Sequence, residues 1–358
     1  MGNYRCLTQN DYRTKKLFLS FPSYIYGDDC PQDYDTEEQL LNGTHVLSPD
    51  IEVRPFVVIN RARVPICRCL LTYYKDDPVA YVGFFESVNN QFGVRELFRC
   101  VKMRASFDDK IKLVGPIDAS IYIKYRFKIN RFDKTYTGEP YNKKYYSELW
   151  EKCGFTVCDK YVSNQLRKVE KEDCDERLQR VYERYIKKGY TFVSPTKKTF
   201  KKHLNDVYFS IMKLYSNFSG YKRLSEEQFM TMFLPLKKIL NFEMVRMAYK
   251  EDKLCAFCIA LPNYGDLTLG KMTLKKFIKI MKIKKKPSEY IILYVGADGA
   301  SAGLGGALIQ NVKDILLNNG CTSISALIKE GNVTGEMYKE LYIDQFNYVL
   351  YDMNLTEE

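Results

Sequence analysis

From Ile291 the chain reads Ile-Ile-Leu-Tyr-Val-Gly-Ala-Asp-Gly-Ala-Ser-Ala-Gly-Leu-Gly-Gly-Ala-Leu, ending at Leu308, and five of its 20 glycines fall in this stretch. An apolar run, a loop of small residues and the start of an amphipathic helix follow one another here. This combination builds an anion site. Small residues let the backbone approach a phosphate, and the unpaired amides and dipole at a helix N-terminus favour negative charge. A Walker A loop would need Gly-Lys-Ser/Thr, and the stretch has no lysine. The dinucleotide fingerprint would need a glycine where Leu308 stands, and a longer strand-helix series than the remaining residues supply. A tight strand-helix crossing without ligand is the plain structural alternative.

The third candidate is the pyrophosphate loop of GNAT-type acetyltransferases. The stretch resembles that family's Arg/Gln-x-x-Gly-x-Gly/Ala pattern, with Gly303 and Gly305 at the glycines and Ala300 in place of Arg/Gln. The replacement removes a side chain and leaves the backbone amides. Downstream, Asn332 follows a strand-like segment, and Tyr338-Lys339-Glu340-Leu341-Tyr342-Ile343 resembles the family's Tyr-x-x-Leu-Gly-Phe, with Tyr342 and Ile343 departing. Gly83-Phe84-Phe85, Gly115-Pro116, Tyr141-Asn142, Tyr145-Tyr146 and Gly154-Phe155 resemble the first half of a bacterial group of tandem GNAT-like N-acyltransferases. Leu261-Pro262-Asn263-Tyr264 resembles its second half.

The resemblance implies a fold and a mechanism. The fold is α/β, with two GNAT-like domains, each a mixed, mostly antiparallel sheet flanked by helices. The pantetheine arm of acetyl-CoA or another acyl-CoA would lie along Tyr290–Val295, with Tyr294 and Val295 holding the acyl carbonyl. Ala300, Ser301, Gly303, Leu304, Gly305 and Gly306 would take the pyrophosphate, and Asn332 would complete the cofactor site. An amine would attack the thioester directly. Tyr338 would be the catalytic acid that reprotonates the thiolate, as a phenol near pKa 10 can do within hydrogen-bond reach. The acceptor would be a small-molecule or peptide amine, and an acidic acyl carrier protein is an alternative donor. An aminoacyl-tRNA-dependent transferase and a non-catalytic binding protein on a decayed scaffold are the competing readings.

The rest of the sequence bounds these readings. At 358 residues the chain exceeds one ordinary core, so two domains are expected. The boundaries fall at 1–165 for an N-terminal half, 166–189 for a connecting helix and 190–358 for the half with the glycine loop. Lys+Arg of 55 against Asp+Glu of 44 gives +11, which suits anionic partners. The lysines are spread in short groups, so nucleic acid is not expected. Eleven scattered cysteines read as reduced core thiols, and Cys67/Cys69 and Cys255/Cys258 lack the companions of a zinc site. Two histidines, His45 and His203, make a His-based triad or metal centre improbable, so no metal is expected. The first residues lack a signal peptide's apolar core, and no apolar run spans a bilayer, so a cytoplasmic protein is expected. Glu243, Asp298, Glu330 and Glu336 read as surface carboxylates, and no general base is assigned.

The elements that position the loop follow from periodicity. Strands are expected over Ile66–Tyr74, Val79–Phe85, Lys110–Val114 and Phe155–Val162, with helices over Val94–Met103 and Tyr145–Lys152. In the second half a strand at Tyr190–Val193 leads to a helix through Phe200–Leu214 and a capped helix at Ser225. A hairpin over Phe242–Leu261, the strand Tyr290–Val295, a helix through Leu304–Leu316 and the strand Thr322–Leu327 follow. A last helix at Val333–Leu341 and a strand at Asn347–Tyr351 close the chain. Residues 1 to about 50 read as an irregular lead-in with a short strand near Leu17–Leu19. The N-terminal half lacks a glycine loop, and Asn89-Asn90-Gln91-Phe92-Gly93 leaves little room for a pyrophosphate there.

Overall fold

The computed structural model describes residues 4–174, 176–298, 303–331 and 339–356. In the first half the chain runs β1 (Tyr4–Leu7), α1 (Tyr12–Tyr26), α2 (Tyr34–Asn42), β2 (Ile51–Asn60), β3 (Pro65–Tyr74), β4 (Val79–Ser87), α3 (Gln91–Phe107), β5 (Lys112–Gly115), β6 (Phe127–Lys128), α4 (Tyr146–Glu151) and β7 (Thr156–Leu166). Helix α5 (Glu176–Lys187) leads into the second half. There β8 (Tyr190–Val193), α6 (Phe200–Leu214), α7 (Glu226–Phe233), β9 (Val245–Lys250), β10 (Lys253–Pro262), α8 (Leu274–Lys285), β11 (Glu289–Ala297), α9 (Leu304–Asn319), β12 (Thr322–Lys329) and β13 (Tyr342–Asn354) follow.

One continuous sheet joins the halves, in the order β1-β2-β3-β4-β5-β13-β7-β12-β11-β10-β9-β8, with β6 added on β13. The halves repeat one plan. Antiparallel strands lead to a parallel pair joined by a helix: β4 and β5 through α3, then β11 and β12 through α9. They also exchange their last strands. β13 lies between β5 and β7, and β7 pairs with β12.

Three departures from the sequence reading concern the first 60 residues. Leu17–Leu19 lies inside α1 rather than a strand, because the Asp11 carboxylate accepts from Thr14 N at 2.7 Å and starts a helix. Exposed Tyr12 and Tyr24 blur its apolar stripe, whose buried members are Thr14, Phe18, Leu19, Phe21 and Pro22. The irregular lead-in also holds α2, capped by Asp33. Strand β2 was hidden by Pro55. β1 covers only Val57–Asn60 of that edge, so Pro55 sits where no neighbour needs its missing N–H. These additions are anchored by Arg68, buried on β3, which donates to Glu37 at 2.6 and 2.9 Å and to the Phe18 carbonyl at 2.7 Å.

Most other expected elements form. Phe242–Met244 is a 3-10 turn before β9 rather than strand, and β13 extends well beyond Asn347–Tyr351. Of the last expected helix, Lys339–Leu341 forms a 3-10 turn, and Val333–Tyr338 lies outside the described residues. The eleven cysteines are free thiols, and Cys67, Cys69, Cys255 and Cys258 are buried. Among the described residues, no helix is long and apolar enough to cross a membrane, and no group of His, Cys, Asp and Glu is placed to hold a metal.

Candidate active site

Strands β11 and β12 pair in parallel over Glu289–Ile292 and Thr322–Ser325, and their ladder stops there. β11 runs on to Ala297 with β10 on its other edge, and β12 runs on beside β7. The edge of β11 from Leu293 onward therefore faces a gap between diverging strands. Both strands are irregular where they part. Leu293 is an extra residue between the pairs Ile259–Tyr294 and Ala260–Ile292. Across the gap the β12–β7 register shifts between Ser325 and Ile328, with Leu327 at φ 59°. Bulges re-aim main-chain groups and end pairing, and paired bulges at one level leave a built opening.

The opening leads to a cavity of about 390 Å³ whose walls include Leu293 and Tyr294 of β11, Leu327 of β12, Ile211 of α6 and Tyr215 just past its end. Its roof comes from the N-terminal half, from Ile121 to Arg126 and from Thr137, Gly138 and Pro140. That roof is pinned to the other half. Thr137 N donates to Asn263 Oδ1 at 3.1 Å, Tyr264 N donates to Thr137 Oγ1 at 2.6 Å, and Arg126 Nη1 donates to the Leu327 carbonyl at 3.3 Å. The lining is mostly apolar and aromatic, with Lys124, Arg126, Thr137 and Thr268 among it, and among the described residues it contains no carboxylate and no histidine. Burial pushes the Tyr294 phenol up to about 12, so it stays protonated at neutral pH.

The structure places the expected cofactor residues in three groups. Tyr294 and Val295 stand on the open part of β11. Gly303, Leu304, Gly305 and Gly306 form the start of α9, where Gly303 is the cap residue at φ 91° and no side chain caps the helix among the described residues. Ala300, Ser301, Asn332 and Tyr338 lie outside the described residues. The glycines also have packing roles. A Cβ on Gly306 would stand 3.2 Å from Leu178 of α5, and one on Gly303 would stand 3.5 Å from Val181. Gly305 is roomier, with Ala297 Cβ at 4.0 Å. Leu304 is fully buried under the sheet and serves the core. Of the carboxylates considered, Glu243 and Glu330 are exposed, and Asp298 is half-buried, 4.0 Å from Lys253 Nζ.

The N-terminal half has the same opening, closed. β4 and β5 pair over Val79–Tyr81 and Lys112–Val114 and then part. β4 also bulges, where Phe84 and Phe85 stand opposite Cys69. The gap is filled by its own chain: Ile117 N donates to the Val82 carbonyl at 2.8 Å, and the Phe84 amide donates to the Asp118 carboxylate at 2.5 Å. At the start of α3, Asn90 Oδ1 accepts from Gly93 N at 2.9 Å, so a side chain occupies the helix end. The strand edge and the helix terminus, which no described residue of the second half occupies, are both taken in the first.

Sequence reasoning missed the cavity's two cationic side chains, Arg126 and Lys124. They lie in an irregular segment between β5 and β6, and only the exchange of strands brings that segment over β11.

No protein-family model matches the sequence, and no curated protein matches it. Solved structures do match the fold. A tandem GNAT protein from the clavulanic acid biosynthesis pathway, solved without AcCoA, is 13% identical over 99% of both chains with a TM-score of 0.52. A conserved protein of unknown function from Enterococcus faecalis V583, described as a probable N-acyltransferase, is 8% identical over 99% of this chain and 73% of its own, with a TM-score of 0.51. A GCN5-related N-acetyltransferase from Kribbella flavida is 9% identical over 98% of this chain and 72% of its own, with a TM-score of 0.50. Identities this low speak to architecture. With its repeated plan of antiparallel strands, parallel pair and crossover helix, the chain has the tandem GNAT fold.

Proposed function

We propose that the protein is an acyl-CoA-dependent N-acyltransferase whose C-terminal half carries the reaction. The observation that carries this reading is the edge of β11 from Leu293 onward, which has no strand partner among the described residues and opens on a cavity of about 390 Å³. A pantetheine arm is an extended chain with amide groups, and it can add to that edge as a further strand does. The pyrophosphate would then meet the start of α9, where Gly303 is the cap residue, with Gly305 the position of closest approach. Asn332 would support the cofactor from beyond β12. The two halves, 1–165 and 190–358 joined by the connector 166–189, have diverged on this reading. The first roofs the acceptor pocket, and the second binds the thioester.

The chemistry is direct. The amine nitrogen attacks the thioester carbonyl, a C–N bond forms, and the C–S bond breaks. The thiolate takes a proton from Tyr338, and the amine's proton leaves through water, because no described carboxylate lines the cavity. Main-chain amides at the Leu293–Val295 bulge would hold the carbonyl oxygen as charge develops there. The Phe84 amide, at the corresponding bulge of β4, already holds a carboxylate oxygen of Asp118 and shows that such a bulge presents an N–H to an anionic oxygen. Free cysteines and the absence of any described membrane helix suit a cytoplasmic setting.

Calorimetric titration of the full chain with acetyl-CoA and octanoyl-CoA tests the reading. Saturable one-to-one binding with Kd on the order of 1 μM to 1 mM is expected for at least one thioester. No heat and no change in melting temperature with either would overturn it.

A further inference from the structure

We propose that the amine acceptor carries a carboxylate, and that Arg126 binds it. The inference rests on the acyl-transfer reading and names the substrate class of the same site.

Arg126 lines the cavity and is 3% exposed. Its faces are covered: the guanidinium carbon lies 3.6 Å from the Tyr125 ring centroid and 4.0 Å from that of Tyr161. Along its edge, Nη1 donates to the Leu327 carbonyl, while Nε has no partner among the described residues. The nearby carboxylates are engaged elsewhere. Asp159 pairs with Lys329 at 2.6 Å and accepts from Ser219 and Tyr161. Asp118 pairs with Lys124 at 3.1 Å and accepts from the Phe84 amide.

A guanidinium removed from water without a counter-anion is unfavourable, and structures resolve this by pairing it. Here the missing anion is supplied from the cavity. The planar fork matches a carboxylate, which it can bind through two parallel N–H donors. With Lys124 paired to Asp118, one positive charge without a counter-anion among the described residues suits a monoanion, whereas a phosphate would need more donors than the lining offers. The cavity size, near the lower end of small-molecule sites, suits an amino acid or similar amino carboxylate rather than a folded protein.

The acylated product offers a probe that needs no turnover. N-Acylglycines from acetyl to decanoyl, and the matching glycinamides, are titrated into the full chain, wild type and Arg126→Met, with acetyl-CoA titrated separately into each. In the wild type at least one acid is expected to bind on the order of 10- to 100-fold tighter than its amide. In Arg126→Met that ratio falls to within about twofold while acetyl-CoA affinity is unchanged, and Arg126→Lys recovers part of the preference. Because the ratio compares two ligands on one protein, a general loss of stability does not imitate it. Acids and amides binding alike in the wild type would overturn the assignment while leaving the thioester reading intact. Failure of acetyl-CoA to bind, with acid preference present, would overturn the thioester reading alone.

Discussion

Replacing Tyr338 with phenylalanine is expected to lower kcat by on the order of 10²- to 10⁴-fold, with the KM for acyl-CoA unchanged within about threefold. The reason is the leaving group. Collapse of the tetrahedral intermediate expels a thiolate, and a phenol with pKa near 10 can deliver a proton as the C–S bond breaks. Phenylalanine keeps the ring and removes only the hydroxyl, so thioester binding should survive. Steady-state kinetics with the best acyl-CoA and amine pair separates the cases. A kcat within threefold of wild type would assign the proton to water or another group.

The second large effect lies in the other half. Gly83→Ala is expected to destabilise the protein by about 3 kcal/mol in urea denaturation. A Cβ at that position would stand 2.0 Å from the Ile117 carbonyl oxygen, 2.5 Å from its carbon and 2.6 Å from Asp118 Cα. All three are backbone atoms, so no flexible side chain can yield. The segment that closes the β4–β5 gap must move, straining the bond from Ile117 N to Val82 O and the Phe84 contact with Asp118. The same segment leads into the cavity roof, so acceptor affinity should fall with stability. A cost below about 1 kcal/mol would show that the closed gap tolerates rearrangement.

How much of this was legible in the sequence depended on whether the signal was local. The path Tyr290–Val295, the small-residue loop and the stripe Leu304–Leu316 announce a strand, a turn and a helix by composition and periodicity, and β11 and α9 form there. Strand β2 was obscured because Pro55 usually argues against a strand, and only its place on an edge left free by β1 permits it. The exchange of β13 and β7 has no local trace, since pairing partners far apart in the chain leave no periodic mark. The cavity depends on that exchange. Arg126 stands in an aperiodic stretch, and its meaning comes from Leu327, some two hundred positions later. Gly303 and Gly306 show the converse: their spacing drew attention as phosphate contacts, and each also makes room for α5.

Amide hydrogen exchange across Leu293–Val295, followed with and without a saturating CoA thioester, tests the central claim most directly. Exchange there is expected to slow when the thioester arm pairs with the open edge of β11, while Phe84–Glu86 of β4 keeps its rate. Unchanged exchange at Leu293–Val295 under saturation, or new protection at Phe84–Glu86 instead, would contradict the account.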